Sequence, residues 1–177
     1  MSKHHRNRNW APAPQPLPED AHVIDNHTHV ASVVPFSQAM SHEAMEKGQG
    51  EVPVYSVDEL LEQAQKVGVE GVIDCGCELP NLMTAIDMAR EHPGTVHAAI
   101  AIHPNEAVLH GHRGAPGPDG LPIKYKPWHD IPFDEAMAEV HRLATTYPNQ
   151  VVAIGETGMD LFRTGESAKE LQREAFR

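Results

Sequence analysis

Short apolar runs alternate with helical patterns along most of the chain. The runs are rich in Val, Ile and Ala and cover residues 23–27, 71–75, 96–102 and 151–154. Each run has the length of a strand and is followed by a polar or glycine-containing loop. Strands that are apolar throughout, with helices between them, are typical of a buried parallel sheet. The pattern therefore predicts an α/β protein with four βα units.

Two of the predicted helices carry start or stop signals. Ser56 and Glu59 have the spacing of a capping box, and Gly68 is a stop signal for the helix that they begin. Ser167 and Glu170 form a second capping box near the end of the chain. Because no Gly or Pro interrupts the residues that follow, we expect this last helix to be still running where the chain stops.

Two further helices show apolar stripes. The stripe of the first consists of Leu82, Ala85, Ile86 and Ala89. The stripe of the second, over residues 133–146, consists of Phe133, Met137, Val140 and Ala144. Spacings of three and four residues place each set on one face of a helix, so we expect both faces to cover the sheet.

Two segments do not fit this alternation. Residues 1–20 combine basic residues with four prolines and bury too little apolar surface to offset their ordering entropy. We therefore predict a disordered tail, followed by a folded domain over residues 21–177. Residues 104–132 are rich in glycine and proline, which predicts a long loop that is either a functional lid or an insertion. We assign no role to its histidines, His110, His112 and His129.

Composition narrows the class of protein. Of the 177 residues 40% are hydrophobic, which is enough for a domain core, and no segment has the length of a membrane span. The formal charge of -11 argues against a protein that coats nucleic acid with a broad basic face. An enzyme that grips one phosphate stays possible, because a divalent ion can reverse the local sign of charge. Cys75 and Cys77 are too few for a structural zinc site, so we expect buried thiols in a cytoplasmic protein without membrane contact.

Two histidines at the end of the first predicted strand form a candidate metal site. His27 and His29 are separated by one residue, so on a strand both project to the same face and can share one ion. Imidazole suits zinc, manganese and iron-type ions. In the competing interpretation they are a pair of exposed strand histidines. Asp25 shares their face, and it either accepts a ring N–H of one histidine or makes backbone hydrogen bonds.

A carboxylate after the fourth predicted strand can complete this site. Glu156 shares a strand face with Val152 and Ile154, so it can reach an ion held by the histidines if both strands belong to one sheet. Its carboxylate can also bridge two ions. In the competing interpretation Glu156 is a surface residue in a glycine-bounded turn.

These motifs, taken in order, resemble those of TatD-type deoxyribonucleases. DNHTH after the first strand resembles their D-x-H-x-H, AIHP at residues 101–104 their GxHP, and IGETGMD their GEIGLD segment. Gln172 and Phe176 fit the Q-x-x-x-F pattern that follows, and the match runs over nearly all of residues 23–177. The departures are Ala101 in place of Gly, Thr157 and Met159 in place of Ile and Leu, and the long loop after Pro104.

The resemblance implies an amidohydrolase-type (β/α)8 TIM barrel that uses one or two divalent metal ions (Mg, Mn or Zn) to cleave phosphodiester bonds of DNA. It implies His27, His29 and Glu156 as metal ligands, and further ligands, two histidines and an aspartate, from later strands. His103 and Glu156 are the catalytic candidates. His103 is expected to contact the phosphate, and Arg163 is a weaker candidate for the same contact.

A complete (β/α)8 barrel has about 250 residues, so four units correspond to a partial barrel whose C-terminal half is absent. We expect such a fragment to be inactive alone and to self-associate through its open strand edges, with no obligate protein partner. Two alternatives stay open. One is an amidohydrolase-type enzyme acting on amide, lactone or base substrates, and the other is a non-catalytic metal-binding fragment.

Overall fold

The computed structural model describes residues 16–49, 52–112, 124–162 and 164–177. Its strands are β1 (Val23–Thr28), β2 (Val69–Gly76), β3 (Val96–Ile100) and β4 (Val151–Ile154). Its helices are α1 (Val30–Glu46), α2 (Val57–Lys66), α3 (Leu79–Glu91), α4 (Pro104–Ala107), α5 (Phe133–Thr146) and α6 (Lys169–Phe176). The four predicted strands and the α/β class are confirmed. None of these helices is both long and apolar enough to cross a membrane.

The strands form one sheet in the order β1-β2-β3-β4. β2 pairs with β3 in parallel and ends with Gly76 opposite Ile100. β3 pairs with β4 in parallel, and Ile100 also lies opposite Ile154, after a register shift between Ala98 and Ala99. The carboxyl ends of parallel strands lie at one edge of the sheet, so the residues that follow these strands gather there. This sheet is consistent with a partial barrel, whereas the absent second half and self-association stay predictions.

The chain divides into two compact units. The first comprises the described parts of Met1–Ile24 and Ser32–Glu70, and the second comprises Asp25–Ala31 and the described parts of Gly71–Arg177. The first unit therefore contains α2 and most of α1. The second contains β3, β4 and the helices from α3 to α6.

In the first unit, α2 begins and ends as predicted. The Ser56 hydroxyl accepts the N–H of Glu59 at 3.2 Å, and the Glu59 carboxylate accepts the N–H of Ser56 at 2.7 Å. This reciprocal pair is the predicted capping box. Gly68 follows the helix at φ +97°, a conformation that favours glycine.

The predicted N-terminal tail lies mostly outside the described residues, which begin at residue 16. At Leu17 the backbone N–H donates to the carbonyl of Val67 at 2.8 Å. This residue is therefore attached to the end of α2, and the tail over residues 1–20 stays a prediction.

The sequence pattern does not predict α1. The residue before the helix is His29, which is not a capping type, and Pro35 inside the helix cannot donate a helical hydrogen bond. The start of α1 is instead capped by another element. The backbone N–H groups of Val30 and Ala31 donate to the carboxylate of Asp74 in β2. A cap supplied from a distant strand leaves no local signal in the sequence.

In the second unit, α3 packs against β3. The predicted stripe of α3 is confirmed, because all four of its residues are buried. Burial of each large apolar side chain, such as Leu82 or Ile86, stabilises the fold by about 1.5–3 kcal/mol. Gly76 permits the close approach of the helix. A Cβ atom at this position would lie 2.7 Å from the carbonyl oxygen of Asn81 in α3.

The buried face of α5 differs from the predicted stripe. Its buried residues are Ala136, Val140 and Leu143, whereas Phe133 and Ala144 are only half-buried. The helix contacts both α3 and the turn at residues 110–112. The face of α5 that is buried is therefore determined by its contacts with these two neighbours and not by the positions of its largest apolar side chains.

The last helix begins later than its predicted capping box implies. α6 starts at Lys169, with Ala168 at the N-cap position, and a short 3-10 helix, Glu166–Ala168, precedes it. The side chain of Ser167 lies outside the described part of the structure, so the capping box with Glu170 stays a prediction.

The described parts of the long loop contain α4 and two short 3-10 helices, His110–His112 and Pro127–Asp130. His110 and His129 are fully buried, with their ring centres 5.7 Å apart. Nδ1 of His110 is hydrogen-bonded to the Ile131 carbonyl at 2.9 Å. Within the described ranges its Nε2 has no hydrogen-bond partner.

We expect His110 to make stability depend on pH. Burial lowers the pKa of His110, as does His129, whereas the Ile131 carbonyl and Glu106 raise it. The unfolded chain therefore binds this proton at a higher pH than the folded chain does, so stability falls as the pH drops below about 6.5. His110→Asn keeps a donor for Ile131 and removes the titration. Thermal unfolding from about pH 7 to pH 5 should show a shallower loss of Tm in this variant.

The exposed His141 of α5 provides the control, since His141→Asn should leave the pH dependence of Tm as in the unmodified chain. Equal slopes for His110→Asn and the unmodified chain would contradict the assignment to His110.

Candidate metal centre

The candidate ligands lie at the carboxyl ends of the strands. His27 belongs to β1, and His29 follows the end of that strand. Glu156 follows β4, and the peptide bond between Gly155 and Glu156 is cis. His103 lies between β3 and α4. All four side chains belong to the second compact unit.

The Glu156 carboxylate contacts three histidines. Its Oε1 contacts Nε2 of His27 and lies 3.5 Å from Nε2 of His29. Its Oε2 lies 3.2 Å from Nε2 of His103. Ligand atoms of His27, His29 and Glu156 all lie within 4.8 Å of one another. The structure thus brings together the three side chains that the sequence analysis selected as metal ligands, with His103 beside them.

This set of donors fits a divalent ion. Imidazole nitrogens and a carboxylate oxygen are common ligands of zinc and manganese. With bonds of about 2.0–2.2 Å, two ligands of one ion lie no more than about 4.4 Å apart, so only small side-chain movements are needed here. The side chain of Glu156 is 24% exposed. That exposure and its three imidazole contacts argue against the surface-turn interpretation of this residue.

Backbone carbonyls of β2 orient the first ligand segment. Nδ1 of His29 lies 3.2 Å from the carbonyl oxygen of Cys75, so the ring N–H donates there and leaves Nε2 for an ion. The hydroxyl of Thr28 donates to the carbonyl of Ile73 at 2.9 Å. These two bonds fix the direction in which His29 points.

Asp74 holds the residues that follow His29. It is 1% exposed, and its carboxylate accepts the N–H groups of Val30 and Ala31. Burial raises the pKa of the Asp74 carboxyl, and these two amides and His29 oppose the shift. Within the described ranges its Oδ1 has no hydrogen-bond partner. Asp74 is not among the residues predicted from the sequence, although a carboxylate inside an apolar strand is costly without partners and is a usable signal.

The sequence left two roles open for Asp25, a hydrogen bond to a histidine ring or hydrogen bonds to the backbone, and the structure shows the second. Its Oδ1 accepts the N–H of His27 at 3.1 Å. The partner that orients a ligand ring is instead the carbonyl of Cys75.

A hydrogen bond from the backbone fixes the tautomer of His103. Its Nδ1 accepts the N–H of Asn105 at 3.1 Å, so in the neutral ring Nε2 carries the proton and faces Glu156. His103 thereby presents a donor to the centre. Arg163, the weaker candidate for a phosphate contact, lies outside the described residues.

The end of the GETGMD segment is hydrogen-bonded to the same region. The side-chain amide of Asn105 donates to Oδ2 of Asp160 at 2.7 Å. The buried Gln172 accepts the N–H of Asp160 and donates to its carbonyl, each at 3.0 Å. The motif residues Asp160 and Gln172 therefore support the loop that holds His103.

A cavity of about 190 Å³ opens beside the ligands. Its wall includes His29, His103 and Glu156, and also the carboxylates of Glu78 and Glu106. The sequence analysis did not select these two glutamates, because neither lies in a recognisable motif. Such a cavity has room for a phosphate group beside the candidate ion.

Both cysteines are unpaired and half-buried, and Cys77 lines this cavity. Burial raises the pKa of the Cys77 thiol to about 12, and the nearby Glu156 carboxylate adds to the increase. Burial also raises the pKa of Cys75. Neither thiol is therefore favoured to ionise at neutral pH. The sequence predicted buried thiols, whereas both cysteines are only half-buried.

Parallel strands with imidazole and carboxylate groups at their carboxyl ends are typical of metal-dependent hydrolases. The chain belongs to the family of TatD-related DNases, whose family model matches residues 24–177. The family resemblance found in the sequence is thereby confirmed.

Two curated relatives illustrate the relationship. A metal-dependent hydrolase TatD of Mycobacterium tuberculosis is 31% identical over 125 residues, which are 68% of this chain and 38% of the relative. A 3'-5' ssDNA/RNA exonuclease TatD of Erwinia tasmaniensis is 29% identical over 119 residues, which are 67% of this chain and 36% of the relative. The chain thus spans less than two fifths of the length of these relatives.

A solved structure supports the fold. The crystal structure of a hydrolase TatD family protein from Entamoeba histolytica superposes with a TM-score of 0.56 at 20% sequence identity. The match covers 88% of this chain and 44% of that chain.

We expect the cysteines to resist alkylation. With a pKa near 12 in place of about 9, the thiolate fraction of Cys77 at pH 8 falls by more than about 100-fold. Iodoacetamide should therefore modify Cys77 more than about 100-fold more slowly in the folded chain than in the same chain in urea. Peptide mass mapping measures both rates. Rapid labelling of Cys77 in the folded chain would reveal a thiolate and contradict the shift.

Proposed function

We propose that the protein hydrolyses phosphodiester bonds of nucleic acid, with one or two divalent ions held by His27, His29 and Glu156. The observation that carries the proposal is the convergence of two imidazoles and one carboxylate beside an open cavity, in a chain of the TatD-related DNase family.

A bound divalent ion supplies Lewis acidity, which acidifies water and offsets negative charge on a phosphate. His27 and His29 hold their Nε2 atoms towards Oε1 of Glu156, and these groups form the ligand side of the centre. Oε2 of Glu156 faces the N–H of His103, and a second ion, if one binds, would be held by the same carboxylate. Mg, Mn and Zn each accept a carboxylate ligand, whereas the imidazoles favour Mn or Zn.

His103 has the geometry of a phosphate-binding and catalytic residue. Its Nε2 carries the ring proton, because Nδ1 is occupied by the Asn105 N–H. The same Nε2 faces Glu156 at 3.2 Å and lies in the cavity wall. On substrate binding this N–H can donate to a phosphate oxygen and stabilise the charge that develops there.

A nucleic-acid substrate agrees with the name of the Erwinia tasmaniensis relative, an exonuclease on single-stranded DNA and RNA. The net charge of -11 favours an enzyme that binds phosphate locally through ions over one that coats a duplex. The resemblance implies three further ligands from later strands, so we propose little or no turnover for the 177-residue chain by itself. A cytoplasmic location fits this substrate.

We expect the ion to bind at these side chains. Calorimetric titration of Mn²⁺ into the chain should show a site that His29→Ala and Glu156→Gln each weaken by more than about 100-fold, because even loss of an orienting partner costs about 10–100-fold. The exposed His22, which pairs with Glu70, provides the control, and His22→Ala should leave Mn²⁺ affinity unchanged. Equal affinity in all variants would place the ion elsewhere and remove the basis of the proposal.

We expect phosphodiester substrates to be preferred. The Mn²⁺-loaded chain should be incubated with single-stranded DNA, RNA, an ester panel and an amide panel, and products quantified by chromatography. Any hydrolysis of DNA or RNA by this chain alone should be very slow and should be lost in Glu156→Gln, because the ion site and the His103 contact both depend on this carboxylate. Turnover of amides or esters but not of nucleic acid would favour the amidohydrolase alternative. Ion binding without any turnover would favour a non-catalytic fragment.

A further inference from the structure

A segment of the long loop binds two carboxylates of the cavity wall. Nζ of Lys126 lies 3.0 Å from both oxygens of Glu78. Nε1 of Trp128 donates to Oε2 of Glu106 at 3.1 Å. Segment 126–129 therefore borders the cavity of the candidate metal centre, although it is distant from the ligands in the sequence.

The position of Lys126 depends on more than this ion pair. Its backbone N–H donates to Nδ1 of the fully buried His129 at 3.0 Å. Nε2 of His129 consequently carries the ring proton and donates to Glu106 at 2.7 Å. The ammonium group also lies 4.7 Å from the centre of the Trp128 ring, within the range of a cation–π interaction. Buried hydrogen bonds and an aromatic ring thus hold the lysine at the cavity.

The charged side chains that line the cavity are mainly acidic. Of the described residues that line it, three are glutamates and none is Lys or Arg. Carboxylates repel a phosphate, and ions at the ligand residues offset only part of that charge. Lys126 supplies a cation beside Glu78 at the edge of this wall, and 43% of its side chain is exposed.

The ion pair with Glu78 leaves Lys126 able to bind a second anion. An exposed pair of this kind contributes at most about 1 kcal/mol, so it yields readily to a competing anion. The ammonium group has three N–H donors, and the two oxygens of Glu78 engage at most two of them in direct bonds. A further donor can therefore point to a phosphate without loss of the Glu78 contact.

We propose that Lys126 binds a phosphate of the nucleic-acid strand that flanks the phosphate undergoing cleavage. This inference rests on the proposed function and adds a residue that determines substrate affinity. Lys126 thereby binds the nucleic-acid strand and takes no part in the ion site.

Binding of a single-stranded phosphorothioate oligonucleotide, which resists hydrolysis, tests this role by fluorescence anisotropy on the Mn²⁺-loaded chain. Lys126→Gln should weaken binding about tenfold at low salt. It should also reduce the slope of log K against log salt by about 0.7, the value for one phosphate contact on a single strand. Lys126→Arg should keep the affinity within about twofold, because it keeps the charge.

Lys124, an exposed lysine two residues away, provides the matched control, and Lys124→Gln should leave affinity and salt slope unchanged. Tm and Mn²⁺ affinity should be the same in all three lysine variants. If Lys126→Gln behaves like Lys124→Gln, or lowers Mn²⁺ affinity, the inference is wrong while the proposed function stands. If the Mn²⁺-loaded unmodified chain binds no oligonucleotide, both the inference and the nucleic-acid substrate are wrong.

Discussion

The contact between Glu156 and the imidazoles of His27 and His29 joins the first and last strands of the described sheet. In a flat sheet, with neighbours about 4.8 Å apart, the first and fourth strands would lie about 14 Å apart. The contact therefore requires that the residues after β1 and β4 approach one another at the carboxyl ends of the strands. Such an approach is consistent with a segment of a barrel, and the candidate ion site depends on it.

The sequence predicts the features that arise from local periodicity. The four strands, the α3 stripe and the Ser56 capping box follow from apolar spacing and from side chains near their targets in the chain. His27 and His29 were found by their alternation on β1, and Glu156 by its place after a buried strand. These three side chains can meet only if both strands belong to one sheet, and the sequence alone does not decide this.

The features that escaped prediction depend on contacts between distant segments. Asp74 caps α1 from β2, and the buried His129 near the end of the long loop contacts Glu106 near its start, beside the cavity. In the sequence these are a carboxylate in an apolar run and a histidine in a glycine- and proline-rich loop. Each becomes interpretable only when its partner is known, because an isolated buried polar group is unfavourable and a paired one is not.

Gly76 connects the packing of the second unit to the shape of the cavity. The backbone of α3 passes so close to this residue that even a methyl group would collide with the carbonyl of Asn81. A larger residue could be accommodated only if the start of α3 withdrew, and Glu78, immediately before that helix, would withdraw with it. The distance between one wall of the cavity and the ligand histidines is therefore set by the absence of a single side chain.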